Sequence, residues 1–219
     1  MGKSTSTAPR KDYCHSSDSK TQAKVWDNIA PKWAEYRKDT PKNITEFLKD
    51  KTGKILDLGT GSGRNFIAFP NQEIYATDIS LKMIEIAKEV AKEKGLNLIE
   101  AKVANANKQP FPDNTFDAIL CSAVFHCIPT KQERQETIKE IYRTLKKEGT
   151  ALLTTWSRNS PRLKNKEKEC IMTWTTGDIK QERYTYIYDK EEFELEIKDA
   201  GFTILESKED MNINVLVKK

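Results

Sequence analysis

The residues with chemical potential gather around one turn. Ile55 to Gly63 reads Ile-Leu-Asp-Leu-Gly-Thr-Gly-Ser-Gly, an apolar run that breaks into alternating glycines. A strand running into a glycine turn and then a helix is a general device for holding a nucleotide. The glycines let backbone approach the ligand, and the helix N-terminus offers free N–H groups. The dinucleotide pattern GxGxxG needs glycine at position 64, where this chain has Arg64; what stands here is GxGxG, with Gly59, Gly61 and Gly63. Asp57 lies two residues before the first glycine, where a carboxylate suits a ligand ammonium and would repel a pyrophosphate. Asp78 follows Gly59 by 19 residues, about the spacing at which an acidic side chain accepts hydrogen bonds from ribose hydroxyls. Together they point to an amino-acid-bearing nucleotide. The structural alternatives are a carboxylate capping the turn for Asp57 and a helix-capping role for Asp78.

Ligands of parallel sheets sit at the carboxyl ends of the strands, so a second ligand would meet Ser122 to Pro129, Ser-Ala-Val-Phe-His-Cys-Ile-Pro. This exit holds neither an Asn-Pro-Pro-Tyr run nor a Pro-Cys pair, Cys127 being preceded by His126. His126 is expected to be the polar group facing the reaction site, with packing at the strand end as its alternative. Between Trp156 and Trp174, the stretch Ser157 to Lys168 carries Arg158, Arg162, Lys164, Lys166 and Lys168 against Glu167 alone. Positive charge beside planar rings suits unpaired RNA bases, although such a run is also compatible with plain solvation.

Elements of alternating type must position these groups. Val25, Ile29, Trp33 and Tyr36 recur at helical spacing, and Ile44, Phe47 and Leu48 mark a second short helix ending near Gly53. Strands are expected at Lys54 to Leu58, Glu73 to Asp78, Leu96 to Val103, Phe116 to Phe125 and Thr150 to Trp156. Helices are expected to start at Asn65 to Phe69 and to span Ser80 to Lys94, with Ser80 as N-cap, and Lys131 to Lys147. Arg183 to Tyr188, Phe202 to Glu206 and Asn214 to Lys218 read as further strands around a helix at Glu191 to Ala200. Repeated alternation with buried apolar strands specifies an α/β, doubly wound, parallel sheet covered on both faces.

The chain of 219 residues, with 37% hydrophobic and 32% charged residues, fits one domain with additions and a charged surface. No apolar run approaches the roughly 20 residues of a membrane span. A net charge of +4 permits a polyanionic partner without requiring one. Cys14, Cys121, Cys127 and Cys170 show no metal-binding spacing, so a reducing cytoplasm and no metal are expected. Residues 1–20 are polar and expected to form a disordered tail ahead of a domain over 21–219. In that tail Met1-Gly2 with Ser6 matches a myristoylation pattern, and Gly2-Lys3-Ser4 matches the end of a phosphate loop but lacks the preceding strand and glycine.

Ile55 to Gly63, Asp78-Ile79-Ser80, Pro110-Phe111-Pro112-Asp113 and Phe116-Asp117-Ala118 resemble the stations of class I S-adenosylmethionine-dependent methyltransferases. The resemblance implies a mostly parallel seven-stranded Rossmann-like sheet with an antiparallel C-terminal strand. It also implies S-adenosyl-L-methionine as cofactor, held by Asp57, Gly59, Gly61, Gly63, Asp78, Ile79, Asn105, Ala106 and Ser122. Asn105 stands where the family usually has aspartate, and an amide oxygen can still accept the adenine amino group. A narrower resemblance, to the tRNA wobble-uridine carboxymethyl methyltransferases, is carried by Val25 to Pro31 with Arg37, Val124-Phe125-His126, Glu182 to Tyr188 and Asn212 to Lys218. It implies esterification of 5-carboxymethyluridine in tRNA and a small zinc-containing activator protein at the open strand edge over 96–103, where a homodimer is the alternative. Such a carboxylate is already ionised at neutral pH and needs a charge partner instead of a base. Arg37 and Arg183 are the expected clamp, with His126 aligning the substrate and Trp156, Arg158, Arg162 and Lys164 meeting RNA. Arg37 has a second role open to it, on the methionine carboxylate. Cys127 stands where that family often has a second histidine. The competing readings are a small-molecule methyltransferase of the quinone-precursor type, a non-catalytic cofactor or RNA-binding module, and a nicotinamide oxidoreductase, which Arg64 and Asp57 disfavour.

Overall fold

The computed structural model describes residues 18–219. Its centre is β1 (Gly53–Leu58), flanked by two parallel strands, β2 (Gln72–Asp78) and β4 (Phe116–Ser122). β3 (Leu98–Val103) forms one edge, and β5 (Leu145–Trp156) continues the sheet beyond β4. β9 (Asn212–Lys218) pairs antiparallel with both β5 and β8 (Thr203–Glu209), giving the order β3-β2-β1-β4-β5-β9-β8. This is the mostly parallel seven-stranded sheet with one antiparallel strand that the motifs implied.

Strand side chains alternate between faces, and the core divides accordingly. Leu56, Leu58, Ile119 and Cys121 face one cluster with Phe116, Ile138 and Ile141, where Ile138 and Ile141 come from α4 (Lys131–Thr144). Ile55, Ala118 and Leu120 face the other, where Ile44, Phe47 and Leu48 of α2 (Lys42–Lys49) pack with Ala87 and Ala91 of α3 (Leu81–Glu93). α5 (Lys190–Asp199) adds Phe193 and Ile197 to the first cluster. Ser80 caps α3 as expected, its hydroxyl accepting from the Met83 amide at 3.1 Å.

Several expectations are corrected. No helix forms over Asn65 to Phe69, where the chain makes tight turns and runs on to β2. The amides of Gly63 and Phe66 bond back three residues, to Thr60 and Gly63, and Pro70 disfavours the helical region at Phe69. Too little chain remains to nucleate a helix, and buried Phe66 covers the sheet together with α2. β4 stops at Ser122 because Ala123 adopts φ 60°, and a 3-10 turn follows at Phe125–Cys127. α4 ends at Thr144, three residues early, and β5 starts directly from it. The strand expected at Arg183 to Tyr188 is β7 (Ile179–Tyr186), which pairs with an unforeseen β6 (Glu169–Thr176) in a hairpin that stands apart from the main sheet and turns through Gly177 at φ 54°.

α1 spans Ser19–Tyr36 and is capped by Asp18, whose carboxylate accepts from the Thr21 amide at 2.6 Å. Residues 19 and 20 are therefore helical and not part of a tail. The two short motifs within residues 1–6 lie outside the described residues. No helix among the described residues is long and apolar enough to cross a membrane, and no group of metal-ligating side chains is found among them.

Candidate active site

Strand order reverses between β1 and β4, which opens a crevice at their carboxyl ends. The turn after β1 fills one side of it. Gly59 has φ 70°, and a Cβ there would lie 2.2 Å from Cγ2 of Val124 in the turn after β4, so only glycine lets the two turns approach this closely. The amides of Gly59 and Thr60 donate to the Thr77 carbonyl at 2.8 and 2.9 Å. Asp78 completes the anchoring, its carboxylate accepting from the amides of Gly61 and Ser80, both at 2.9 Å.

The crevice is a cavity of about 380 Å³, within the roughly 300–1,000 Å³ of small-molecule sites. Of the expected cofactor residues, Gly59, Gly61, Asp78, Ile79, Asn105, Ala106 and Ser122 line it. Gly61 has open space where a Cβ would be. Asp57 and Gly63 do not line it. Asp57 points with Ile55 into the apolar face beneath the loop, where one oxygen accepts from the Thr60 hydroxyl at 2.8 Å and the other has no partner. The backbone of Gly63 turns away over Phe66. Both shape the loop from below.

Burial raises the Asp57 carboxyl to about 7, with the Asp78 charge adding to the rise and the Thr60 hydroxyl and Arg64 opposing it. Burial likewise raises Asp78 to about 6 against the opposing amides of Ser80 and Gly61. Both folded values exceed the ordinary 3.8. The folded protein therefore binds more protons than the unfolded chain, and stability from these groups, complete at lower pH, is lost as pH rises through about 4 to 7. We expect Asp57→Asn to flatten the decline of ligand-free thermal stability between pH 5 and 7.5, as read by circular dichroism melts. Parallel curves for the variant and the wild type would contradict the assignment.

The acceptor side is built on Trp156, at the end of β5. His126 stacks on its ring at 4.0 Å and 14°, while the Arg162 guanidinium lies 4.1 Å from the same ring centre. Two groups at those distances cannot share one face, so the three form a sandwich with Trp156 in the middle. Arg162 and Trp156 line the cavity; His126 does not, being 3% exposed behind the ring. Burial and then the nearby charges of Arg183, Arg162 and Arg37 hold His126 well below its ordinary pKa, so it is neutral. The expectation that it faces the reaction site is corrected: the left-handed turn at Ala123 redirects it inward.

Arg37 also lines the cavity, stacked over Trp33 at 5.1 Å. Arg183 sits behind it, buried and flanked by Trp26 at 5.5 Å and Trp33 at 5.3 Å, so it is not the second arm of a clamp. Arg158 is tied into its own loop by a bond to the Lys166 carbonyl, and Lys164 is exposed outside the cavity. Among the described residues Arg143 is the one arginine held in an ion pair. Arg64, Arg162 and Arg183 thus gather around Arg37 outside any ion pair, with Arg64 feeling the buried Asp57 charge, and the pKa of each of the three is lowered by burial and the charge of Arg37.

Sequence reasoning missed Arg64 and most of what α1 contributes. Ser19, Gln22, Trp26 and Trp33 line the cavity from above. Asp27 pins the helix by accepting from the Ser80 hydroxyl at 2.6 Å and the Lys82 amide at 3.0 Å, and Gln22 accepts from the Tyr184 amide at 3.2 Å. The capping pattern before α3 was legible, but its partner 53 residues upstream was not. Cys127 lines the cavity with its thiol pushed by burial to about 12, which leaves it unreactive at neutral pH.

A family described as a methyltransferase domain matches residues 56–153. A putative methyltransferase of Encephalitozoon cuniculi is 30% identical over 161 residues, covering 69% of this chain and 71% of that protein. The tRNA (carboxymethyluridine(34)-5-O)-methyltransferase of Saccharomyces cerevisiae is 32% identical over 136 residues, 61% of this chain and 47% of that one. A demethylmenaquinone methyltransferase of Anoxybacillus flavithermus is 33% identical over 119 residues, covering 52% and 48%. Among solved structures, the complex between the Haloferax volcanii Trm112 methyltransferase activator and a putative methyltransferase aligns with a TM-score of 0.65 at 17% identity, covering 92% and 97%. The chain belongs to the class I S-adenosylmethionine-dependent methyltransferase family. It spans between a quarter and half of the length of the first curated relatives it matches.

Proposed function

We propose that this chain methylates the carboxylate of 5-carboxymethyluridine at the wobble position of tRNA. The observation that carries this reading is the pair Arg37 and Arg162, which line the cavity outside any ion pair, a charge distribution that asks for an anionic acceptor. The tRNA methyltransferase relative supports the nucleic acid. A quinone precursor, the substrate class suggested by the menaquinone relative, would leave that positive cluster without a task.

The cofactor's residues are a cradle of loop amides at Gly59 and Gly61, Asp78 for the ribose hydroxyls, and Ile79, Asn105 and Ala106 around the adenine. Asp57 and Gly63 keep the loop in shape, and Ser122 closes the floor. S-adenosylmethionine supplies an electrophilic methyl group on a sulfonium. An ionised carboxylate needs no base to accept it, so the protein's work is desolvation and alignment. Arg37 and Arg162 orient the acceptor oxygens by charge-assisted hydrogen bonds. Trp156, supported by His126, fixes Arg162. Arg158 and Lys164 meet the RNA backbone further out. The exposed edge at β3, where Ile99 and Val103 are 49% and 50% open, is the proposed seat of an activator subunit.

With labelled S-adenosylmethionine, tRNA carrying 5-carboxymethyluridine is expected to take up label, whereas the same tRNA lacking the carboxymethyl group is not. Equal labelling of both would overturn the carboxylate reading. If His126 acts only as a support, His126→Phe keeps the stack and holds turnover within about threefold with an unchanged pH profile. His126→Ala leaves Trp156 unsupported and costs about 2 kcal/mol or more of stability. Inactive but fully stable His126→Phe protein would return a chemical role to the imidazole.

A further inference from the structure

We infer that Tyr36, held by Trp174, forms a stacking platform for an unpaired nucleobase flanking the methyl-accepting nucleotide, with Trp33 linking it to the cavity. This rests on the RNA substrate proposed above and adds a second subsite to it. Trp33 lines the cavity, and its ring lies 6.3 Å from that of Trp174 on the β6–β7 hairpin. Trp174 in turn meets Tyr36 edge-on, at 6.5 Å and 89°. Tilted and edge-on ring contacts thus connect Trp33 in the cavity lining to the exposed Tyr36.

Tyr36 sits in the last turn of α1 and is 69% exposed. Large rings left in water are ordinarily free to turn, but the edge contact with Trp174 holds this one while leaving its face open. Strand pairing places Trp174 opposite Gln181 and Met172 opposite Arg183, so Trp174 and Arg183 share the hairpin face that packs on α1. Arg37, next in sequence to Tyr36, carries its guanidinium over Trp33 and has no acidic partner among the described residues. A phosphodiester joining the acceptor nucleotide to its neighbour would pass that charge, bringing the neighbour's base over the platform. Every base has an aromatic face, so such a surface adds affinity without demanding one sequence.

The test uses the full chain with an anticodon stem-loop RNA carrying 5-carboxymethyluridine, the free nucleoside, and a fluorescein-labelled single-stranded oligoribonucleotide. Tyr36→Ala is expected to raise KM for the stem-loop about tenfold or more, leaving kcat, S-adenosylmethionine affinity and nucleoside kinetics unchanged. Tyr36→Phe retains wild-type values, since the ring and not the hydroxyl stacks. Trp174→Ala reproduces the defect and Trp174→Phe relieves part of it. Wild-type KM for the stem-loop in Tyr36→Ala, or an equal loss with the nucleoside, overturns the platform. Should the wild type methylate neither acceptor, the proposed function fails by itself. Oligoribonucleotide anisotropy then decides the platform separately: weaker binding by Tyr36→Ala supports it, and equal binding or none by the wild type overturns it.

Discussion

Arg162→Ala is expected to lower kcat on the carboxylate acceptor by about 100-fold while leaving the dissociation constant for S-adenosylmethionine within about twofold. A hydrogen bond to a charged group contributes roughly 1.5–3 kcal/mol, and each 1.36 kcal/mol is about tenfold in rate. The guanidinium carbon lies over the Trp156 ring at 4.1 Å, so its position is set before the acceptor arrives. Arg162→Lys is expected to recover little, because an ammonium neither stacks in that way nor presents two parallel donors. Rapid-quench single-turnover kinetics separate the chemical step from binding. Arg37→Ala distinguishes the two tasks open to that residue: a fall in kcat alone places it on the acceptor carboxylate, and a rise in the cofactor dissociation constant places it on the methionine carboxylate.

Gly59→Ala is expected to weaken S-adenosylmethionine binding by on the order of 100-fold or more, as measured by isothermal titration calorimetry. The left-handed conformation at φ 70° costs a side-chain-bearing residue roughly 1–2 kcal/mol. The new Cβ would also lie 2.2 Å from Cγ2 of Val124, so the turns after β1 and β4 would have to separate. Adding Val124→Ala removes that atom and leaves the Val124 Cβ at an ordinary 3.4 Å. The double variant is therefore expected to regain part of the affinity, with a residual deficit of about tenfold from the backbone conformation alone. If Val124→Ala gives no recovery, the contact between the two turns is not what glycine protects.

The glycine turn and strand ends that line the cavity were legible in the sequence because their signals are local. Gly59, Gly61 and Asp78 mark strand ends, and Ser80 announces a helix three residues before its side chain is used. The acceptor half depends on contacts across the chain. His126 was misplaced because strand alternation was carried past Ser122, and nothing about alanine signals the left-handed turn at Ala123. Arg183 and Arg162 could not be placed from the sequence because only the folded chain shows Arg162 over Trp156 in the cavity lining and Arg183 beside Trp26 and Trp33. The β6–β7 hairpin did have a signal, Gly177-Asp178 between alternating residues, of the kind that closes two-residue turns. The missing helix after Gly63 also had one in Pro70.

The central claim is that the methyl group ends on a carboxylate oxygen. The direct measurement is nucleoside analysis by mass spectrometry of tRNA treated with this protein and labelled S-adenosylmethionine, before and after mild alkali. The label is expected on 5-carboxymethyluridine as an ester that alkali removes, restoring the free acid. Label that survives alkali, or that resides on any other nucleoside, would contradict the account.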